Sequence, residues 1–189
     1  MATTRAERAK DRRRSRKALP PTRFEASCRA PAETVYDLLA DLQRHLVWGG
    51  ERQGETTRLL TMDGPPGPAG VGTEFRSTGS DGKVARWHDR SVVTEAKRPE
   101  VFEFVTAGER HGKPGTAPVH ATTVHRYEIG PAPEGCLVTY RGQITSATGF
   151  LRILWAPLIG TWVRRYGAKY MRPGFDALIA LAEDEAGAR

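Results

Sequence analysis

The hydrophobic positions of the chain follow a helical period, then a strand period, then a helical period again. After Ala30-Pro31, apolar residues recur three or four positions apart until Trp48-Gly49-Gly50. The recurring residues are Val35, Leu38, Leu39, Leu42 and Leu46. This spacing places the side chains on one face of a helix, so the segment predicts one amphipathic helix or two short helices broken near Asp41.

Extended segments lie on both sides of this helical region. One short strand is predicted at residues 22–29, and six more follow the helix. The six span residues 56–62, 71–78, 83–96, 101–106, 119–129 and 136–145. Short turns such as Gly79-Ser80-Asp81-Gly82 favour antiparallel neighbours. Two longer connections rich in Gly and Pro, residues 63–70 and 108–118, are expected to form mobile rims.

The helical period returns after Thr148 and continues to Glu185. The apolar face of this second helix contains Ile159, Trp162, Val163, Tyr166, Tyr170, Phe175, Leu178, Ile179 and Ala182. Pro173 lies inside the pattern and is expected to kink or divide the helix, because proline removes one backbone donor and clashes with the preceding turn.

Charge is distributed unevenly along the 189 residues, whose formal net charge is +7. Residues 1–17 carry eight basic and two acidic residues and contain no Val, Leu, Ile or aromatic side chain. Such a composition cannot bury enough surface to fold, so residues 1–19 predict a disordered basic tail and residues 20–187 one domain. Because the positive charge lies in the tail and not on a packed face, nucleic-acid binding is not expected.

The same residues bear on cellular location. The first twenty residues lack the apolar core of a secretory signal, and the longest charge-free apolar run, residues 153–163, is eleven residues long. A spanning helix needs about 20 residues. Cys28 and Cys136 are expected to be small buried hydrophobic side chains of a reducing compartment, with a disulfide between them as the minor alternative. These observations predict a cytoplasmic protein and leave its oligomeric state open.

The order of strand, helix pair, six strands and long helix resembles the SRPBCC superfamily (START-like, birch-pollen-allergen-like), particularly its polyketide cyclase/dehydrase and lipid-transport branch. The resemblance is carried by residues 30–41 with Trp48, 71–75, 127–129, 135–141 and 149–183. It implies an α+β helix-grip fold of order β-α2-β6-α, in which a curved seven-stranded antiparallel sheet surrounds the C-terminal helix. It also implies that a hydrophobic small molecule is bound in a cavity between them.

The candidate site residues come from the strands and the helix that such a fold would place around the cavity. The ligand-binding candidates are Phe75, Trp87, His88, Tyr140, Trp162, Tyr166 and Tyr170. Closing a poly-β-ketone ring requires an acid or base and a donor for the developing enolate. His125 is the candidate acid/base, Tyr127 or Tyr140 the hydroxyl donor, and Arg86 the anion stabiliser. Neighbours in a strand face opposite sides, and the sequence leaves open which side lines the cavity.

Two principal functions remain open. The first is a cyclase, aromatase or dehydratase that needs no metal or nucleotide cofactor. The second is a non-catalytic carrier or sensor of a lipid-like ligand, with residues 1–17 docking on an anionic membrane. A third is a partner-binding module whose tail docks on acidic protein or RNA. Metal is not expected, because His120 and His125 face opposite sides of one strand. A phosphate-binding loop is not expected either, because Gly112-Lys113 lacks the other residues of that motif.

Overall fold

Seven strands form one antiparallel sheet that curves around a long C-terminal helix. A computed structural model describes residues 21–52, 57–81, 85–112, 115, 117–148 and 157–187, without the side chains of residues 85 and 157–167. The elements are β1 (Thr22–Cys28), α1 (Ala32–Ala40), a 3₁₀ turn (Leu42–Arg44), a π-helical turn (Val47–Glu51), β2 (Thr57–Asp63), β3 (Glu74–Asp81), β4 (Ala85–Lys97), β5 (Val101–His111), β6 (Val119–Pro131), β7 (Cys136–Ala147) and α2 (Pro157–Gly187). The predicted helix-grip architecture is confirmed.

The strand order in the sheet is β1-β7-β6-β5-β4-β3-β2. Every neighbouring pair is antiparallel, so β2 to β7 form a continuous meander while β1 pairs with the last strand. The last strand therefore lies beside the first strand. From there α2 crosses the concave face, where its apolar side can be covered.

The second half of α2 seals one end of the fold. Phe175, Leu178 and Ala182 are almost completely buried, as the helical period predicts. Pro173 lies inside α2, and the helix is not divided there, so the expectation of a division is wrong. Arg172 and Pro173 are both exposed, and water can therefore bind the carbonyl that the proline leaves without a donor.

Two predicted strands have boundaries that differ by three residues or more from the observed ones, and one connection that was predicted to be a mobile rim is anchored. β3 begins at Glu74 because Gly72 adopts φ 86° in a turn, and Val71 beside it is 67% exposed. β5 continues to His111, since it pairs with β4 as far as His111 and with β6 as far as Arg110. The connection at residues 63–70 is anchored on α1, because the amide of Ala69 donates to the carbonyl of Ala40 at 2.8 Å. Because β5 is longer than predicted, the sheet extends further along the direction of this strand.

Cys28 and Cys136 face each other across β1 and β7 and are both buried free thiols. Burial raises the pKa of Cys136 to about 12, so this thiol stays protonated and unreactive at neutral pH. Among the described helices, none combines the length and the apolar character needed to cross a membrane. The predicted basic tail at residues 1–19 lies outside the described residues.

Candidate functional site

A cavity of about 580 Å³ lies between the concave face of the sheet and α2. Paired residues on neighbouring antiparallel strands point to the same side, so the wall is built from rows of side chains that cross the sheet. Counted from the buried end outward, the first row is Phe24, Tyr140, Tyr127 and Phe102, and the second is Gly142, His125, Phe104 and Val93. The third row is Ile144, Thr123, Thr106, Ser91 and Phe75. The fourth row is Ala147, Ala121, Gly108, Asp89 and Ser77, and the fifth is Val119, Arg110, Trp87 and Gly79. We call the first two rows the inner end and the last two the outer end.

The inner end combines aromatic packing with one hydrogen-bonded polar pair. Nδ1 of His125 and the hydroxyl of Tyr140 are 2.9 Å apart. The imidazole stacks on Phe104, with ring centroids 4.7 Å apart and planes 14° from parallel. Burial lowers the pKa of His125 to about 4, because the charged imidazolium would lose its hydration. The imidazole is therefore neutral at pH 7 and held in a fixed plane.

Two proton arrangements of this pair are chemically distinct. If the Tyr140 hydroxyl donates to Nδ1, then Nε2 carries the imidazole proton and is a donor. If Nδ1–H donates to the hydroxyl oxygen, then Nε2 is the basic nitrogen and the Tyr140 proton is free to donate. Burial raises the pKa of Tyr140 well above its ordinary value, so the hydroxyl keeps its proton in both arrangements. The second arrangement supplies a base and a donor together.

A glycine makes room for the Tyr140 hydroxyl. A Cβ at Gly142 would lie 2.5 Å from this oxygen, closer than any real contact. On its other side the Tyr140 ring stacks on Phe24, with centroids 5.6 Å apart. Tyr127 completes the row, with its ring centroid 5.0 Å from that of Tyr140. Tyr140 of β7 is thus held by ring contacts with side chains of β1 and β6.

The outer end carries charge. The Trp87 ring occupies the space above Gly79, where a Cβ would lie 1.9 Å from the indole. Asp81 and Arg110 form an ion pair beside it, and the guanidinium also lies 5.8 Å from the centre of the Tyr170 ring. Arg110 is thereby held between a carboxylate and an aromatic face, two environments that stabilise a cation.

The row between the two ends contains hydroxyl groups, and the row next to it, at the outer end, contains a carboxyl group. Ser91 and Thr106 are buried and hydrogen-bonded at 2.9 Å. Asp89 lies one row further out, and burial raises its pKa to about 7. Its position could have been found from the sequence, because strand alternation places Asp89 on the same side as Trp87, which was expected to contact the ligand.

A second neutral histidine, for which no sequence pattern indicated a role, also lines the cavity. His45 follows α1 and is 3% exposed. Its Nε2 donates to the carbonyl of Leu39 at 2.8 Å, and its ring lies 4.6 Å from that of Trp48. Burial lowers its pKa to about 4. A histidine within a predicted helical segment carries no signal that distinguishes a cavity wall from an ordinary packed position.

The structure brings together six of the predicted site residues. The residues that line the cavity are Phe75, Trp87, His125, Tyr127, Tyr140 and Tyr170. Arg86 and His88 lie on the convex face of β4 and do not line the cavity. The physical reason is that β4 buries the face carrying Trp87, Ser91 and Val93 and leaves the basic side chains hydrated. The side chains of Trp162 and Tyr166 lie outside the described residues.

The residues that the structure describes hold no group of three or more His, Cys, Asp and Glu side chains that could bind a metal ion. The remaining polar groups of the wall are neutral at pH 7 or paired, apart from Asp89. The arrangement can therefore bind an apolar molecule and contact its oxygen atoms at a few fixed points.

Sequence comparison identifies the family. The profile for polyketide cyclase / dehydrase and lipid transport matches residues 21–183, and the chain belongs to this family of the SRPBCC superfamily. The fold and the cavity agree with this membership. No curated protein sequence matches the chain.

Solved structures show the same fold at low sequence identity. The di-domain aromatase/cyclase StfQ of the steffimycin biosynthetic pathway is 18% identical, with a TM-score of 0.64 over 96% of this chain and 55% of its own. An uncharacterised protein from Rhizobium leguminosarum is 14% identical, with a TM-score of 0.60 over 88% and 97%. Ara h 8.0201 is 13% identical, with a TM-score of 0.57 over 86% and 97%. At these identities the similarity establishes the fold alone.

Proposed function

We propose that the protein binds a polyketide-like molecule in its cavity and acts on it as a cyclase, aromatase or dehydratase. The observation that carries this proposal is the His125–Tyr140 pair, a neutral imidazole hydrogen-bonded to a hydroxyl inside an otherwise aromatic inner end. The family and the di-domain aromatase/cyclase of similar fold support the substrate class.

The pair supplies the two groups that an aldol ring closure needs. Nε2 of His125 removes a proton from a carbon between two carbonyl groups, and the electron pair moves onto the neighbouring oxygen as an enolate. A Tyr140 or Tyr127 hydroxyl hydrogen-bonds to this oxygen. The enolate carbon attacks a second carbonyl carbon, whose oxygen then takes up the proton held by the imidazolium. In a following dehydration, the same imidazole removes a second carbon-bound proton and returns it to the departing hydroxyl, which leaves as water.

A second candidate function is transport or sensing of a hydrophobic ligand without chemistry. The observation that favours it is the low pKa of His125, about 4, which makes this imidazole a weaker base than a histidine in water. The expected docking of residues 1–17 on an anionic membrane belongs to this alternative. Deleting residues 1–17 should abolish salt-sensitive binding to anionic vesicles, and unchanged binding would contradict the docking.

Turnover of a small model substrate separates the two functions. The full chain is purified from its own host, any co-purified ligand is identified by native mass spectrometry, and a poly-β-keto thioester is then added. An enzyme accelerates cyclisation, and His125→Gln lowers the rate at least tenfold, while the matched convex-face variant His120→Gln leaves it unchanged. A substrate that is bound and returned unchanged would establish the carrier function instead, whereas an equal accelerated rate in both variants would contradict the role of His125 and leave the protein an enzyme.

A further inference from the structure

One carboxyl group of the cavity wall is not used by the proposed chemistry. Asp89 lies in the middle of β4, a strand that has neighbours on both sides. It lines the outer end of the cavity. Within the described part of the chain, its carboxyl has neither a hydrogen bond nor an ion pair, and burial is the sole cause of its pKa shift. A carboxyl group in this position is available to a ligand.

The neighbouring residues leave open space beside this carboxyl. Its cross-strand neighbours are Ser77 on β3 and Gly108 on β5. A Cβ at Gly108 would lie 2.5 Å from Oδ1 of Asp89, so the carboxyl occupies space that only glycine leaves free. The row continues with Ala121 and Ala147, both small. A ligand in the cavity can therefore reach the carboxyl without displacing a large side chain.

The charged groups around Asp89 are already paired with each other. Arg110 of β5 pairs with Asp81 of β3, and it is the cation that lines this end among the described residues. Glu109 lies at the rim with His111 at 2.9 Å. Tyr170 is the titratable side chain that the described part of α2 contributes, and β6 contributes Ala121 and Val119. None of these groups neutralises the Asp89 carboxylate, so it is favoured in its protonated form.

We propose that Asp89 is a ligand contact of the cavity and, as a carboxylic acid, donates a hydrogen bond to a carbonyl or hydroxyl oxygen of an uncharged ligand. The ionised form has no proton to donate and also repels anionic groups. Asp89 thus selects neutral, oxygen-bearing molecules and couples their binding to proton uptake. This inference rests on the proposed function only in requiring that a ligand enters the cavity, and it holds for an enzyme and for a carrier.

The test compares a ketone with an alkane of equal length. Binding of 2-undecanone and of undecane to the full chain is measured at pH 5.5 and pH 8.5 by competition with a neutral solvatochromic dye. With a pKa of about 7, few Asp89 side chains carry the proton at pH 8.5, so ketone binding should weaken by roughly tenfold while alkane binding does not change. His45 and His125 stay neutral over this range and should not contribute.

Two variants assign the effect to this side chain. In Asp89→Asn the amide donates at every pH, so ketone binding should stay near its pH 5.5 strength at both values. Asp63→Asn, which changes an exposed aspartate at the end of β2, should retain the pH dependence. If the Asn variant does not fold, the carboxyl carbon of Asp89 is titrated by NMR in the native protein, and the ketone should raise its pKa.

The possible results distinguish this inference from the proposed function. Equal pH response for ketone and alkane, or the same response in Asp89→Asn as in the native chain, would overturn the role of Asp89 and leave the cavity as a ligand site. An unchanged Asp89 pKa on adding ketone would do the same. Failure of both probes to bind at either pH would reject ligand binding in this cavity, and with it both proposals.

Discussion

The inner and outer ends of the cavity are formed by the same strands but differ in whether their polar side chains have hydrogen-bond partners. At the inner end, Tyr140, Tyr127 and Phe102 are almost fully buried, and the polar atoms of His125 and Tyr140 satisfy each other. At the outer end, Asp89 has no such partner among the described residues. The comparison teaches that burial favours the neutral form of both His125 and Asp89, but within the described residues only the inner histidine also has a hydrogen-bond partner. The neutral imidazole of His125 and the Tyr140 hydroxyl satisfy each other by a hydrogen bond. The lone carboxyl of Asp89 must keep its proton or bind a ligand.

The two ends should differ most in what they contribute to stability. Phe102→Ala removes a fully buried ring that contacts Tyr36 and Phe104 and should lower the free energy of unfolding by about 3–5 kcal/mol. Trp87→Ala at the half-buried outer end should cost less than half as much, although it removes a larger ring. Urea denaturation measures both. An equal loss would contradict the distinction between a packed inner end and an open outer end.

The ionisable groups of the two ends should give stability opposite dependences on pH. The pKa of His125 is about 4 in the folded chain and about 6.5 when unfolded, so the unfolded state takes up a proton first as pH falls. Stability is therefore lost between pH 6.5 and 4, by up to about 3 kcal/mol from this residue. His125→Gln should flatten that loss, as measured by urea denaturation at several pH values.

Asp89 should act in the other direction over a higher range. Its folded pKa of about 7 exceeds its unfolded value of about 3.9, so the folded state binds the proton more tightly. The contribution is complete below pH 4 and is lost as pH rises towards 7. Asp89→Asn should therefore raise stability relative to the native chain at pH 8 more than at pH 4. A constant difference across this range would contradict a partly buried carboxyl without a partner among the described residues.

Glycine at the inner end should be required for the position of Tyr140. Gly142→Ala places a methyl group against the Tyr140 hydroxyl and should cost about 1–3 kcal/mol, because the ring cannot move away from Phe24. Gly130→Ala in β6 is the matched control, since a Cβ there meets nothing within 4 Å. Thermal unfolding measures both changes, and equal melting temperatures for the two variants would show that the hydroxyl is not tightly held.

A surface ion pair away from both ends should matter least. The Arg29 guanidinium and amide bind Glu183 of α2 at 3.0 and 2.9 Å, but the arginine side chain is 78% exposed. Glu183→Gln should cost about 0.5 kcal/mol, and less at high salt, because water screens exposed pairs. A loss above 2 kcal/mol in chemical denaturation would mean that this contact, and not core packing, fixes the end of α2.

Local sequence patterns predicted most of the architecture because each is a direct consequence of backbone geometry. The period-two segments and the helical face of Phe175 and Leu178 needed no tertiary knowledge. The boundaries of β5 did require it, since its extension to His111 depends on pairing with β4 and β6. Pro173 likewise lies inside an undivided helix because its solvent-exposed side tolerates the missing hydrogen bond.

The candidate site was likewise predicted in part from local patterns and decided in part by the tertiary structure. Alternation along β4 established that Arg86 and His88 share one face and that Trp87 and Asp89 share the other, but either face could have pointed inward. The curvature of the sheet and the position of α2 decided this, by burying the face with the greater apolar surface. The partner of His125 and the isolation of Asp89 depend on the register between neighbouring strands, and only the tertiary structure shows which side chains that register places together.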